Sequence, residues 1–371
     1  MRITMFVGRA DLCGGQRVLH IYAQKLQERG HEVLLIARPP RRPTVRERLR
    51  QKLLNKPLPA VARHSDNYFD KSRYPRDYEF RFLPEHRPAT AADVPDADVV
   101  VATWWETAEW VNLFPASKGT KVYFVQHYET FGGDEARVDA TWRLPMHKVC
   151  VAQWLVDLAR DRFNDLSAEL VANAVDLEQF VAPPRGKQPV PTVGVMYSWV
   201  PFKGVDISVR AVELARREVP DLKLLSFGAV DPQPSVPLPE GTEYRFQPPQ
   251  DEIKDYYGRC DAWLFGSRSE GFGLPLLEAM ACRTPVIATP AGAAPELVAG
   301  GGGIMVPPED PEAMAAAIVR VARMHQAEWA AMSDRALATA QAHNWDVATD
   351  RFEAALTRVA TAGRPRLRTA G

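Results

Sequence analysis

Two glutamates, Glu270 and Glu278, bracket a loop and a helix start in the segment SRSEGFGLPLLEAMACRTPVIATPAGAAPELV (267–298). Gly271 and Gly273 let the backbone approach a ligand closely, and Pro275 sits where a first helical turn tolerates proline. Free N–H groups at such a helix start form a site for an anion such as a diphosphate. Acids beside an anion site are electrostatically adverse unless they accept hydrogen bonds from hydroxyls, as sugar and ribose rings offer. The plainer alternative is a capped helix with glutamates in its first turns. It requires the glycines, the proline and both acids to coincide by chance.

The elements that must position these groups alternate between short apolar strands and helical patterns, which marks α/β domains with parallel sheets. RITMFVG (2–8) reads as a buried strand, followed by a loop with Gly14 and Gly15, a helix ending near Gly30, and the strand HEVLLIA (31–37). Further strands are expected at 98–103, 121–126, 148–152 and 169–172. VAPPRGKQPVPT (181–192) is rich in proline and reads as an extended linker. The pattern then restarts: a strand at PTVGVMYS, a helix from Gly204, the strand DLKLLSFG, a strand at 262–265, a helix at 274–282 and the strand TPVIAT (284–289). The expected domains are therefore 1–180 and 193–345 around the linker 181–192, then a C-terminal helix over 346–363 and a disordered tail over 364–371.

A length of 371 residues suggests roughly two domains. A hydrophobic content of 46% with 25% charge is that of a soluble globular chain. Net charge is zero, which offers nucleic acid no electrostatic footprint. The opening MRITMFVGRADLCGG lacks the pattern of a signal peptide, no apolar run reaches the length of a membrane span, and the four scattered cysteines form no C-x-x-C pair. These features predict a cytoplasmic protein with reduced thiols. Neither a metal nor a dinucleotide cofactor is expected. Asp96-Ala97-Asp98 reads as a turn before a strand, the histidines are dispersed, and Gly271-Phe272-Gly273 lacks the following x-x-G.

In the first half, KVYFVQHYETF (121–131) is a strand ending in a polar cluster, where ligand sites sit in doubly wound sheets. His127 stands in that cluster, where a lone strand-end histidine usually has a structural role. ATWWETAEW (102–110) groups Trp104, Trp105 and Trp110. Their faces suit stacking on sugar rings or, equally, core packing. Residues 38–56 carry eight cations against Glu47, a net +7. Val45, Leu49 and Leu53 fall at helical spacing, so a short basic amphipathic helix is expected. It suits an anionic membrane surface, or else it is a solvated insertion.

The segment EGFGLPLLE, Glu270 to Glu278, resembles the E-x7-E signature of retaining family 4 glycosyltransferases, which have the GT-B fold. The resemblance extends over most of the chain. It includes the Gly14 to Leu19 pattern with GHEV (30–33), VANAVDLEQF (171–180) with Ala172 and Ala174 in place of the usual proline and glycine, FKGVD (202–206), and NWD (344–346) before the C-terminal helix. It implies two Rossmann-like domains facing across a cleft, with the last helix crossing back to the first.

The resemblance also implies roles. Glu278 would hold the donor ribose and Glu270 the transferred sugar, with Phe272, Gly273 and Leu274 meeting sugar hydroxyls and phosphate oxygens through their backbones. Lys203 would neutralise the diphosphate, Gly14 and Gly15 would line the donor site, and His127 would orient the sugar or acceptor near Trp104, Trp105 and Glu129. Gln126 and Glu129 also match a rhamnosyltransferase-like subgroup reading Q-D-x-E-x-F, with His127 replacing the aspartate. The family's usual arginine five residues before the lysine is Ser198 here, and Arg268 or Arg17 are the substitutes the sequence offers. The implied reaction moves a hexose or deoxyhexose from a nucleoside-diphosphate sugar to a hydroxyl of a glycan, lipid-linked or small-molecule acceptor. A peripheral position on the inner face of the membrane suits such acceptors. A sugar- or nucleotide-binding relative without chemistry, or a nucleotide-sugar epimerase of the same fold, are the competing readings.

Overall fold

The computed structural model describes residues 1–41, 44–53 and 67–363; the expected tail and Arg42, Pro43 and 54–56 of the basic segment lie outside them. The chain divides into two compact units. The first holds 1–151, 155–171 and the residues from Thr349 onward; the second holds 152–154 and 172–348.

The first unit comprises β1 (Arg2–Val7), α1 (Gly14–Glu28), β2 (Glu32–Ala37), α2 (Val45–Leu53), β3 (Glu79–Phe82), β4 (Val99–Ala102), α3 (Trp105–Asn112), β5 (Thr120–Val125), α4 (Glu135–Trp142), β6 (His147–Cys150), most of α5 (Gln153–Phe163) and β7 (Glu169–Leu170). Its sheet runs β3-β2-β1-β4-β5-β6-β7 and is parallel throughout. The central strands are continuous apolar runs because both faces are covered. The edge strand β3, EFRF, is half polar. It gives no apolar run to read in the sequence, and its charges suit an unpaired sheet edge.

The second unit repeats the plan with β8 (Thr192–Tyr197), α6 (Val205–Ala215), β9 (Lys223–Gly228), β10 (Glu243–Phe246), α7 (Ile253–Gly258), β11 (Ala262–Phe265), α8 (Leu274–Ala281), β12 (Val286–Ala288), α9 (Ala294–Val298), β13 (Gly303–Met305), α10 (Pro311–Arg323) and α11 (Gln326–Gln341). Its parallel sheet runs β10-β9-β8-β11-β12-β13. Val193, Val195, Leu224, Leu264 and Ile287 from the strands bury against Val212, Met314, Ile318 and Trp329 from the helices. Both units are thus Rossmann-like.

Residues 181–192, expected as a linker, are fastened to the second unit. Arg185 donates to Thr284 Oγ1 at 2.8 Å and lies over the Trp329 ring, and Lys187 Nζ donates to Ala322 O and Met324 O. Its two cations among the prolines are its anchors. The last helix, α12 (Trp345–Gly363), contributes its residues from Thr349 to the first unit. There Phe352 packs 4.5 Å from the Tyr22 ring and 5.0 Å from that of Phe124, and Glu353 pairs with Arg29 and His31.

Candidate active site

In each sheet the strand order reverses direction once, at β1/β4 in the first unit and at β8/β11 in the second. Loops leaving the carboxyl ends of such a strand pair splay apart and open a crevice where ligands bind. The chemistry-bearing residues cluster at these two places.

In the second unit, the loop after β8 carries Ser198 and Lys203, and the loop after β11 carries Glu270. Two glycines let the loops touch. Gly204 has a left-handed φ of 56°, and a Cβ there would lie 1.8 Å from Gly266 O. Glycine in the Lys203-Gly204-Val205-Asp206 run is therefore obligatory at that contact. The result is a close ion pair: Lys203 Nζ donates to Glu270 Oε1 at 2.8 Å and to Oε2 at 2.9 Å. Buried Ser267 Oγ donates to the same Oε1 at 2.9 Å. Gly273, with φ 101°, turns the chain into α8, which places Phe272, Gly273 and Leu274 at the helix start. Glu278, one turn on, accepts from Tyr257 Oη at 2.7 Å. Within the protein, Glu270 is thus paired with a cation and Glu278 with a hydroxyl donor.

Tyr257 and Ser267 escaped the sequence reading, since a tyrosine inside a helix and a serine after a strand carry no motif of their own. Ser198 Oγ accepts from Val200 N–H and serves as a turn cap. Arg268 is not placed as the missing diphosphate cation, because it is bound to Asp206 and Glu309.

In the first unit, Trp104, Trp105, His127 and Glu129 follow β4 and β5. Half-buried Trp104 and half-buried His127 both meet Phe131 edge to face, at 5.9 and 4.9 Å. Phe131 itself is 53% exposed. His127 Nδ1 lies 2.9 Å from Tyr128 O. Glu129 and Trp105 are corrections to the expected acceptor wall, since both are buried. Glu129, 1% exposed, accepts from Trp105 N–H at 2.6 Å and Tyr123 Oη at 3.2 Å. Burial pushes its carboxyl well above the usual range, with those two donors opposing. It holds the start of α3 in place and presents no surface to a ligand. Gly14 and Gly15 open α1, and Gly15 packs against the Gln126 amide. Gln16 Oε1 and Gln126 Oε1 are buried and accept no hydrogen bond among the described residues. Among the same residues, no group of three or more His, Cys, Asp or Glu side chains is placed to hold a metal ion.

Residues 188–324 match the family model described as "Glycosyl transferases group 1". That span carries Ser198, Lys203, Glu270 and Glu278. In that span the chain is similar to the group 1 glycosyltransferases. A D-inositol 3-phosphate glycosyltransferase of Saccharomonospora viridis is 32% identical over 243 residues, 59% of this chain and 56% of that relative. The match thus spans just over half of the relative's length. In fold, the chain is similar to a sucrose-phosphate synthase from Thermosynechococcus elongatus, with a TM-score of 0.73, 19% identity and coverage of 98% of this chain and 100% of the other. It is also similar to the Anabaena protein HepE in complex with UDP and glucose, with a TM-score of 0.71, 14% identity and coverage of 96% and 100%. These likenesses make the fold GT-B.

Proposed function

We propose that this glycosyltransferase moves a hexose or deoxyhexose from a nucleoside-diphosphate sugar to a hydroxyl of a carbohydrate or lipid-linked acceptor, with retention at the anomeric carbon. The observation that carries the reading is the Lys203–Glu270 pair at the switch point, beside the start of α8 with Glu278 one turn on. Structural likeness to HepE, seen with UDP and glucose, supports a nucleotide-sugar donor.

In this reading Glu278 takes the ribose hydroxyls and Glu270 the sugar hydroxyls, while the backbone of Phe272, Gly273 and Leu274 meets the diphosphate. The bond from the anomeric carbon to the diphosphate oxygen breaks as the acceptor oxygen bonds to the same face. The acceptor proton passes to the departing phosphate oxygen, so His127 orients the reactants and need not be a base. Lys203 offsets the charge that grows on the leaving group. On the first unit, Trp104 and Phe131 offer ring faces to an acceptor.

The working place we infer is the cytoplasmic side, with α2 touching anionic lipid. Val45, Leu49 and Leu53 of α2 are all exposed, and among the described residues no helix is long and apolar enough to cross a membrane. The deciding experiment incubates the protein with UDP-, GDP-, ADP- and dTDP-sugars, follows nucleoside diphosphate release and assigns the product anomer by NMR. No release from any donor would sink the proposal, and an inverted product would sink its stereochemistry.

A further inference from the structure

We propose that Arg268 is a positioning residue of the donor site, a clamp between the loop of Lys203 and the loop of Glu270. Its kinetic consequences rest on the donor-site reading above. A guanidinium has five N–H donors, and here all five are used. Nη1 donates to Asp206 Oδ1 at 2.9 Å and to Pro201 O at 2.5 Å. Nη2 donates to Asp206 Oδ2 at 2.8 Å and to Glu309 Oε2 at 2.9 Å, and Nε donates to Glu309 Oε1 at 2.5 Å. No donor remains for a phosphate oxygen. The cluster of one arginine and two acids carries net negative charge, which repels a diphosphate rather than attracting it.

The partners tie three segments together. Pro201 belongs to the turn that ends in Lys203, Asp206 to the first turn of α6, and Glu309 to the loop before α10. The backbone completes the seam, with Arg268 N–H and Ser269 N–H both donating to Phe202 O, at 2.8 and 3.3 Å. Phe202 adjoins Lys203, and Ser269 adjoins Glu270. Glu309 has a left-handed φ of 57°, a conformation that persists in a non-glycine residue only where its surroundings impose it. These ion pairs are partly exposed, and such pairs add little to stability. What the clamp sets is the separation of Lys203 from Glu270, and small misplacements at a reacting centre cost large factors in rate.

Arg268→Gln, Asp206→Asn and the double variant distinguish a clamp from a phosphate ligand. Nucleotide affinity is measured by calorimetry with whichever of UDP, GDP, ADP and dTDP the wild type binds, and turnover with the matching sugar. Each single variant should lower kcat by about tenfold and weaken nucleotide binding severalfold, with the melting temperature near wild type. The double variant should be no worse than either single, because both break one linkage. A phosphate-binding arginine gives the opposite sign: Asp206→Asn would free it and tighten nucleotide binding. Unchanged or tighter binding in Asp206→Asn, or additive losses in the double variant, would overturn the proposal. Amide exchange across 201–204 and 267–270 reads the clamp without any ligand and should quicken in both single variants. Unchanged protection would overturn the clamp. Failure of the wild type to bind any of the four nucleotides would count against the donor reading instead, leaving exchange to decide the clamp.

Discussion

Lys203 and Glu270 neutralise one another, so in the proposed reaction a donor reapportions a charge already in use. In that proposed reaction the lysine does most when the leaving group departs, because diphosphate charge is greatest then. Lys203→Ala is therefore expected to lower kcat by more than it weakens donor binding. Equal losses in a titration and in single-turnover rates would make its contribution uniform binding. Glu278 is expected to act on binding. Glu278→Ala should weaken the donor by about 1.5 to 3 kcal/mol, the range for hydrogen bonds to a charged group, and calorimetry would show it. Tyr257→Phe should follow in the same direction by about 1 kcal/mol, the worth of one ordinary hydrogen bond.

At the scale of the element, α1 carries a pH dependence that lies outside the donor chemistry. His20 on α1 meets Tyr78 Oη at 2.8 Å. Burial, with Arg76 and Arg17 adding to it, lowers its pKa from 6.5 to about 4. Below 6.5 the unfolded chain takes up a proton that the folded chain resists. Stability is therefore undiminished above 6.5 and declines as pH falls from there to about 4, by at most about 3 kcal/mol. His20→Gln should flatten urea midpoints across that window; an unchanged slope would assign the loss to other groups. Helix α2 makes a separate prediction. Arg38 is taken by Glu106 and the Trp110 ring and drops out of the basic surface, while Arg46 and Arg50, one turn apart on α2, are exposed. Sedimentation with anionic vesicles at low salt, reversed by high salt or by zwitterionic lipid, is the expected result. Equal sedimentation with both lipids would remove the electrostatic basis of the idea.

For the whole molecule, the proposal assigns the diphosphate to helix-end amides and Lys203, which do the work a divalent cation does elsewhere. Turnover should survive EDTA. Abolition by EDTA and recovery with magnesium or manganese would refute the assignment. The nucleotide of the true donor should also raise the melting temperature with its concentration, since ligand held only by the native state stabilises it. Such a screen identifies the base before the sugar is known.

The α/β class, the central strands of both sheets and the E-x7-E segment were legible in the residues alone. These are written in local patterns: apolar runs for strands covered on both faces, and glycines and a proline where a loop meets a helix. The edge strands β3 and β10 were hidden, because EFRF and EYRF alternate charged and aromatic residues over only four positions and form no apolar run. Side-chain partners were hidden for a different reason. Arg268 lies 62 residues from Asp206 and 41 from Glu309, so the charge that looked free for a phosphate is spent on carboxylates only the fold brings near. Glu129, read as an acceptor contact from its motif, is covered by α3, and its carboxyl caps Trp105 instead. Residue types and spacing set which groups could do chemistry. Burial and pairing, which are long-range properties of the packed chain, decided which of them remain available to do it.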